Sequence, residues 1–195
     1  MSKDKMTCQK AIQQWETENQ QSAQEAEVIK LNFMVPPIEK LDVGQLNQLT
    51  KCKQLALSSN CIEKMINLPQ LRNLEILSLG RNQIKKISGL EEIGSTLKEL
   101  WISYNLIEKL DGLNHCQKLQ TLYISNNKIK NWDEIDKLKE LPELANTNFI
   151  GNPLYDQIEK EQYLFVLKRL PQLKNVDGKI VDANIQDKVK SLPDQ

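Results

Sequence analysis

The residues best equipped for chemistry in this chain are His115 and Cys116, the only histidine and one of four cysteines. A cysteine and a histidine act as nucleophile and base when their side chains face each other beside a pocket. Neighbouring positions rarely give that geometry, and we expect this pair in an outer loop or helix. No two cysteines have the C-x-x-C spacing of a zinc or redox site.

Other groups that could bind a ligand are equally isolated. Gly80 and Gly94 stand alone, without the glycine pattern of a phosphate-binding loop, and are expected in turns. The carboxylate pairs Glu91–Glu92 and Asp133–Glu134 are interpreted as solvated faces of connecting segments rather than as a metal site. We therefore predict no enzymatic activity, no cofactor, no metal and no small-molecule substrate.

The elements that would position any site come from a repeated pattern, Leu-x-x-Leu-x-Leu-x-x-Asn-x-Ile. Its asparagines lie 22, 23, 22 and 25 residues apart, at Asn60, Asn82, Asn105, Asn127 and Asn152. A period in the twenties with this pattern is typical of a leucine-rich repeat solenoid, an α/β fold. We predict a parallel sheet of about six strands on one face, short helices or turns on the other, and an asparagine ladder that joins successive turns.

The chain is predicted to form one domain over 1–195. An N-terminal helical cap covers 1–27, with a helix from Thr7 to Gln20 in which Trp15 is structural. Repeats occupy 28–154 and end in Asn152-Pro153-Leu154, a C-terminal cap follows over 155–178, and 179–195 is a tail that could be mobile. Trp132 is assigned to the core on the convex side.

The least regular repeat is the first one. Its assigned pattern residues are Val28, Leu31, Phe33, Pro36 and Ile38. This assignment turns Leu31 and Phe33 inward. It places Met34 on the exposed face of the sheet.

Composition excludes several classes of function. Lys plus Arg and Asp plus Glu both number 26, so the net charge is zero; nucleic-acid binders usually carry a basic excess. No apolar run reaches membrane-spanning length, and no apolar segment of a secretory signal follows Met1. Extracellular leucine-rich repeat proteins commonly have caps closed by disulfide bonds, whereas the caps expected here are apolar helices. These features together predict a cytoplasmic protein that binds neither nucleic acid nor membranes.

Strand alternation predicts which side chains meet a partner. Trp101 and Tyr123 fall on the exposed face of adjacent strands and are expected to be neighbours. Exposed Trp and Tyr are typical anchors of protein interfaces, although the two rings could also merely cover each other. The predicted partner-binding residues are Met34, Ile76, Ser78, Arg81, Glu99, Trp101, Ser103, Tyr104, Thr121, Tyr123, Asn148 and Ile150.

Three segments resemble the light chain 1 family of axonemal outer-arm dyneins. They are Leu77-Ser78-Leu79-Gly80-Arg81-Asn82, Leu97-Lys98-Glu99-Leu100-Trp101-Ile102-Ser103-Tyr104-Asn105, and Pro36-Pro37-Ile38-Glu39-Lys40. The resemblance implies a non-catalytic light chain of the cytoskeleton, in the axoneme of a cilium or flagellum. It implies binding to the dynein heavy chain, in the motor region near the microtubule-binding stalk tip, and it leaves contact with tubulin or the microtubule open.

A second interpretation comes from another class of proteins. Similar caps and repeats occur in leucine-rich repeat scaffolds of nuclear ribonucleoproteins and in regulatory subunits of phosphatases. Neutral charge argues against direct contact with RNA. The segment from Leu100 to Asn105 favours the dynein family, because its Trp and Tyr are not needed by the core.

Overall fold

Six three-residue strands from the repeats lie side by side in a computed structural model, which describes residues 5–192. The strands are β1 (Val28–Lys30), β2 (Gln54–Ala56), β3 (Ile76–Ser78), β4 (Glu99–Trp101), β5 (Thr121–Tyr123) and β6 (Asn146–Asn148). Each pairs in parallel with the next along the chain. The central residues of β2 to β5 are in register and buried, and they form one leucine stack: Leu55, Leu77, Leu100 and Leu122.

The sheet continues into the C-terminal cap, beyond the strands that the repeats predict. Strand β7 (Asn175–Val176) pairs in parallel with β6, and β8 (Lys179–Ile180) then pairs antiparallel with β7. The solenoid prediction is confirmed, and the described sheet has eight strands because the cap adds two short ones.

The asparagine ladder explains why successive turns stay in register. The Oδ1 atom of Asn105 accepts the N–H of Ile84, at 2.9 Å, in the preceding repeat. Its Nδ2 donates to the carbonyls of Leu79 and Ile102, at 3.0 and 3.1 Å. The same bonds recur at Asn60, Asn82, Asn127 and Asn152. Buried backbone groups that would otherwise lack partners are thereby satisfied.

The N-terminal end of the stack is covered by a helix, as predicted. Helix α1 (Cys8–Asn19) begins after Thr7, whose side chain accepts the N–H of Lys10. Trp15 is buried in the core, which confirms its structural role. Helix α2 (Val43–Leu46) follows the first repeat, and a 3-10 turn (Ala23–Glu25) precedes it.

The assignment of the first repeat was wrong by two residues. Ile29 pairs with Leu55 and is buried, so the inward residues are Ile29 and Leu31, not Leu31 and Phe33. The connection from Ile29 to Ile38 is two residues longer than the equivalent one from Leu55 to Ile62. A shift of two residues preserves strand alternation, so alternation could not reveal it.

This shift moves Met34 away from the predicted exposed row. Asn32 takes the place assigned to Met34, and its Oδ1 accepts the N–H of Ser58 at 3.0 Å. Met34 instead occupies the ladder position, where the later repeats carry asparagine. It is half-buried and packs against the core.

Short helices follow β5 and continue into the C-terminal cap. Helix α3 (Asp133–Asp136) and the 3-10 turns Lys137–Glu140 and Pro153–Gln157 lead to helix α4 (Gln162–Arg169). Trp132 packs against the Tyr155 and Phe165 rings, with centroids 6.1 and 6.3 Å away, which supports its structural assignment. Helix α5 (Ala183–Lys190) forms in the predicted tail, with Ile185 and Val189 packed against the core. No helix in 5–192 combines the length and apolar character needed to cross a membrane.

Candidate partner-binding surface

The exposed face of the sheet carries one aromatic pair at its centre. Trp101 and Tyr123 are register partners on β4 and β5, and their ring centroids lie 6.0 Å apart at an interplanar angle of 40°. Each side chain is 40% exposed although the rings touch. The predicted proximity is confirmed, and mutual contact leaves a large part of both residues accessible.

The orientation of Trp101 is fixed by a neighbour on the same strand. Its Nε1–H donates to Oε2 of Glu99 at 2.9 Å, so the indole donor is satisfied without a partner protein. The exposed part of the ring is therefore available mainly for apolar contact and stacking. Glu99 thus lies beside Trp101 on the sheet.

Arg81 and Tyr104 lie in the turns that follow β3 and β4. The Arg81 guanidinium carbon is 4.3 Å from the centroid of the Tyr104 ring, a cation–π contact. Both residues are exposed and both have left-handed backbone, with φ of 55° and 58°. Trp101, Tyr104 and Tyr123 are called the aromatic patch below.

Small side chains form the floor around the aromatic patch. Ser78 and Thr121 lie on the predicted face but are only 5% and 8% exposed, so they offer little contact area of their own. Ser103 is half-buried and accepts a hydrogen bond from the Ser125 hydroxyl at 2.9 Å. A flat floor of this kind leaves the rings as the raised features of the surface.

The remaining predicted residues border this floor. Ile76 is half-buried beside Glu99 in the register, and Asn148 is the partner of Tyr123 on the other side. Ile150 is exposed at the C-terminal end. The structure therefore gathers all the predicted residues on one face except Met34, which the shifted first repeat removes from it.

Sequence reasoning missed two exposed apolar residues at the N-terminal end, Phe33 and Val35. Phe33 is 72% exposed because it lies in the turn after β1 and not in the core. The signal that could have found them is Pro36-Pro37, since consecutive prolines are unusual in a regular repeat turn and indicate a longer connection.

Ion pairs between repeats line the opposite ends of the strands. Lys53 contacts Glu27 at 2.8 Å, and Lys98 contacts Glu75 at 2.9 Å. The hydrogen bond within each pair, together with the opposite charge, lowers the pKa of the Glu75 carboxyl and raises the pKa of the Lys53 amine. Charges at this edge are thus largely matched within the fold.

His115 and Cys116, the pair considered for catalysis, lie in different environments. His115 is exposed, whereas Cys116 is buried, and burial raises the pKa of its thiol to about 12. A thiol with that pKa is a poor nucleophile. No cluster of three or more metal-ligating side chains occurs in 5–192.

One carboxylate assignment was wrong. Glu91, Glu92 and Asp133 are exposed, as expected, but Glu134 is buried. Its Oε2 accepts the N–H of Leu110 at 2.8 Å and contacts Lys137 at 2.8 Å. Glu134 therefore satisfies buried backbone of the neighbouring repeat, a role that its exposed neighbour in the sequence does not share.

Comparisons with known proteins agree with this geometry. A family model described as "Leucine Rich repeats (2 copies)" matches residues 95–146. An internalin (inlF) from Listeria monocytogenes has a similar fold, with a TM-score of 0.59 at 22% identity, over 77% of this chain and 40% of that one. That similarity concerns the fold alone.

Curated relatives are much more similar in sequence. Dynein axonemal light chain 1 of Ciona intestinalis is 56% identical over 179 residues, 91% of this chain and 94% of that protein. The Homo sapiens protein of the same name is 56% identical over 174 residues, 88% of this chain and 91% of that protein. At this identity and coverage, the chain belongs to the dynein axonemal light chain 1 family.

Proposed function

We propose that this chain is a non-catalytic light chain of an axonemal outer-arm dynein. It binds the heavy chain in the motor region, near the microtubule-binding stalk tip, and modulates microtubule interaction and ciliary motility. Family membership supports the light-chain role and the location in the axoneme. The force would come from the ATPase of the heavy chain, while the light chain alters how the motor engages its track.

The observation that carries the proposal is the exposed aromatic patch. The indole N–H of Trp101 is satisfied by Glu99, and Trp101 as a residue is 40% exposed, as is the neighbouring Tyr123. Rigid rings on a flat, small-residue floor can bury a large apolar area at low entropic cost. We therefore place the heavy-chain contact on this face of the sheet.

Polar groups around the rings would give the contact its specificity. The Arg81 guanidinium carbon lies over the Tyr104 ring and the residue is exposed, so its N–H donors can reach a carboxylate or a carbonyl of the partner. Ser103 and Asn148 supply smaller donors and acceptors next to the rings. Contacts of this kind at a rim stay partly hydrated and contribute less than the buried centre.

Calorimetry with a recombinant stalk-tip fragment of the heavy chain tests the proposal. Trp101→Ala should weaken binding by about 2 kcal/mol or more, which is roughly 30-fold in Kd. Arg81→Ala should cost less. His115→Ala is the matched control, because His115 is exposed on a return segment rather than on the sheet.

Two further results would decide against parts of the proposal. Full-strength binding by the Trp101→Ala, Tyr123→Ala double variant, with an unchanged circular-dichroism spectrum, would move the interface off this face. Pull-down from ciliated cells that recovers spliceosomal or phosphatase subunits instead of a heavy chain would contradict the dynein role. Co-sedimentation of the light chain alone with microtubules tests direct contact with tubulin.

A further inference from the structure

The turns that follow the strands share one demanding backbone position. The residue just before each ladder position has left-handed backbone, and these six residues, called the turn row, are Phe33, Ser59, Arg81, Tyr104, Asn126 and Gly151. The N–H of each of the first five donates to a carbonyl of the next repeat, at 2.8 to 3.3 Å. The fold therefore needs this conformation whatever side chain is present.

Side chains differ in how well they suit that position. Glycine adopts left-handed backbone without a steric cost, and asparagine adopts it more readily than other residues, whereas bulky residues do so unfavourably. Gly151 and Asn126 follow this preference. Phe33, Arg81 and Tyr104 do not, so the turn row carries large side chains at positions where the left-handed backbone disfavours them.

Burial of the Phe33 side chain does not offset the steric cost of its left-handed backbone. Its side chain is 72% exposed, and Val35 two residues later is 89% exposed. Together they leave an apolar group in water at the N-terminal end of the turn row. Arg81 has no carboxylate partner within residues 5–192, and its guanidinium contacts the Tyr104 ring.

The turn row is continuous with the aromatic patch through Tyr104. Tyr104 follows Trp101 by three residues and stacks under Arg81. Phe33 lies three repeats from Tyr104, which corresponds to about 14 Å at the usual strand spacing. An extended segment of roughly five residues covers that distance.

We infer that Phe33 is a second apolar anchor for the heavy-chain segment that binds the aromatic patch, and that this segment crosses the strands along the turn row. The inference rests on the proposed function and adds the chemistry of the partner. The segment carries an apolar side chain opposite Phe33 and Val35 and a carboxylate opposite Arg81. Its other end packs an apolar group on the patch at Trp101.

Substitution by asparagine gives a test in which stability and binding respond differently. In Phe33→Asn the residue suits the left-handed turn better, so Tm should stay the same or rise. Binding of the full-length light chain to a purified heavy-chain motor domain with its stalk should weaken about tenfold or more. Gln20→Asn is the control outside the turn row: Gln20 is the exposed, left-handed residue that ends helix α1, so the substitution eases the same backbone conformation and should leave Kd unchanged.

The outcomes separate this inference from the proposed function. If Phe33→Asn keeps full affinity while Trp101→Ala loses it, the anchor at Phe33 is excluded and the aromatic patch remains. If Phe33→Asn lowers Tm, Phe33 is a structural residue and the inference is overturned. If neither the Phe33→Asn variant nor the Trp101→Ala, Tyr123→Ala double variant loses affinity, the inference and the proposed surface both fail.

Discussion

The side-chain amide of Asn105 donates a hydrogen bond to the carbonyl of Leu79, 26 residues earlier in the chain, at 3.0 Å. Asn105 is buried, and its Oδ1 also accepts the N–H of Ile84. One side chain thus satisfies backbone groups on two repeats. The ladder position is therefore a site where a single substitution should affect the whole stack.

Asn105→Ala should lower the free energy of unfolding by about 1–3 kcal/mol, because buried backbone groups lose their partners. Urea denaturation followed by circular dichroism measures this. Asn114→Ala, at an exposed position of the next return segment, is the matched control and should have little effect. Equal stability of the Asn105→Ala variant and the parent would mean that water replaces the amide.

Leu100→Ala should cost about 2–5 kcal/mol, since Leu100 is fully buried in the leucine stack and its truncation leaves a cavity. Leu106→Ala removes the same atoms from a residue that is 38% exposed and should cost less. Thermal unfolding of the two variants compares them directly. An unchanged Tm for Leu100→Ala would contradict the repeat register.

Gly94→Ala should destabilise the protein although Gly94 does not have the positive φ angle that favours glycine. A Cβ atom at this position would lie 2.3 Å from the carbonyl oxygen of His115 in the next repeat. Overpacking against backbone typically costs about 1–3 kcal/mol. Gly44→Ala, where the closest atom is a side-chain oxygen at 3.3 Å, should be tolerated, and chemical denaturation of both variants tests the difference.

Asp177 should make stability depend on pH. Its carboxylate accepts hydrogen bonds from Phe149 N–H at 2.7 Å and the Tyr155 hydroxyl, yet burial raises its pKa above the ordinary value in the folded state. The folded protein then binds more protons than the unfolded chain, so this contribution falls as pH rises from about 4 through the raised pKa.

The Asp177→Asn variant isolates that contribution from the other carboxylates. The difference in unfolding free energy, parent minus variant, should decrease as pH rises across this window and become constant above it. Denaturation series at several pH values measure the difference. A difference that is flat between acidic and neutral pH would show that Asp177 has the same pKa in both states.

Cysteine modification should be selective. Burial raises the pKa values of Cys52 and Cys116 to about 12 and raises that of Cys8, whereas Cys61 is half-exposed. Alkylation of the native protein near pH 8 should therefore label Cys61 first, and denaturant should release the other three. Mass spectrometry of the labelled peptides identifies them. Rapid labelling of Cys116 in the native protein would contradict its burial.

The amino-acid sequence determined the solenoid, the asparagine ladder and the pairing of Trp101 with Tyr123. Each follows from a strict repeat, because strand alternation and a fixed period dictate which residues face inward and which residues become neighbours. The core positions of Leu79 and Leu100 follow from the same repeat, whereas the capping role of Trp15 follows from helical spacing in the N-terminal segment. The two aromatic residues were conspicuous because the pattern itself does not require them.

Tertiary structure alone decided what the repeat pattern leaves open. The extra length of the first turn places Phe33 outside the core and Met34 at the ladder position. A shift of two residues leaves the alternation of inward and outward side chains unchanged, so the sequence pattern could not reveal it. Burial of Glu134 and of Asp177 depends on backbone N–H groups of the adjacent repeat that need acceptors. Exposure of each residue on the sheet face depends on the size of its neighbours across strands, which is why Trp101 stands out while Ser78 is covered.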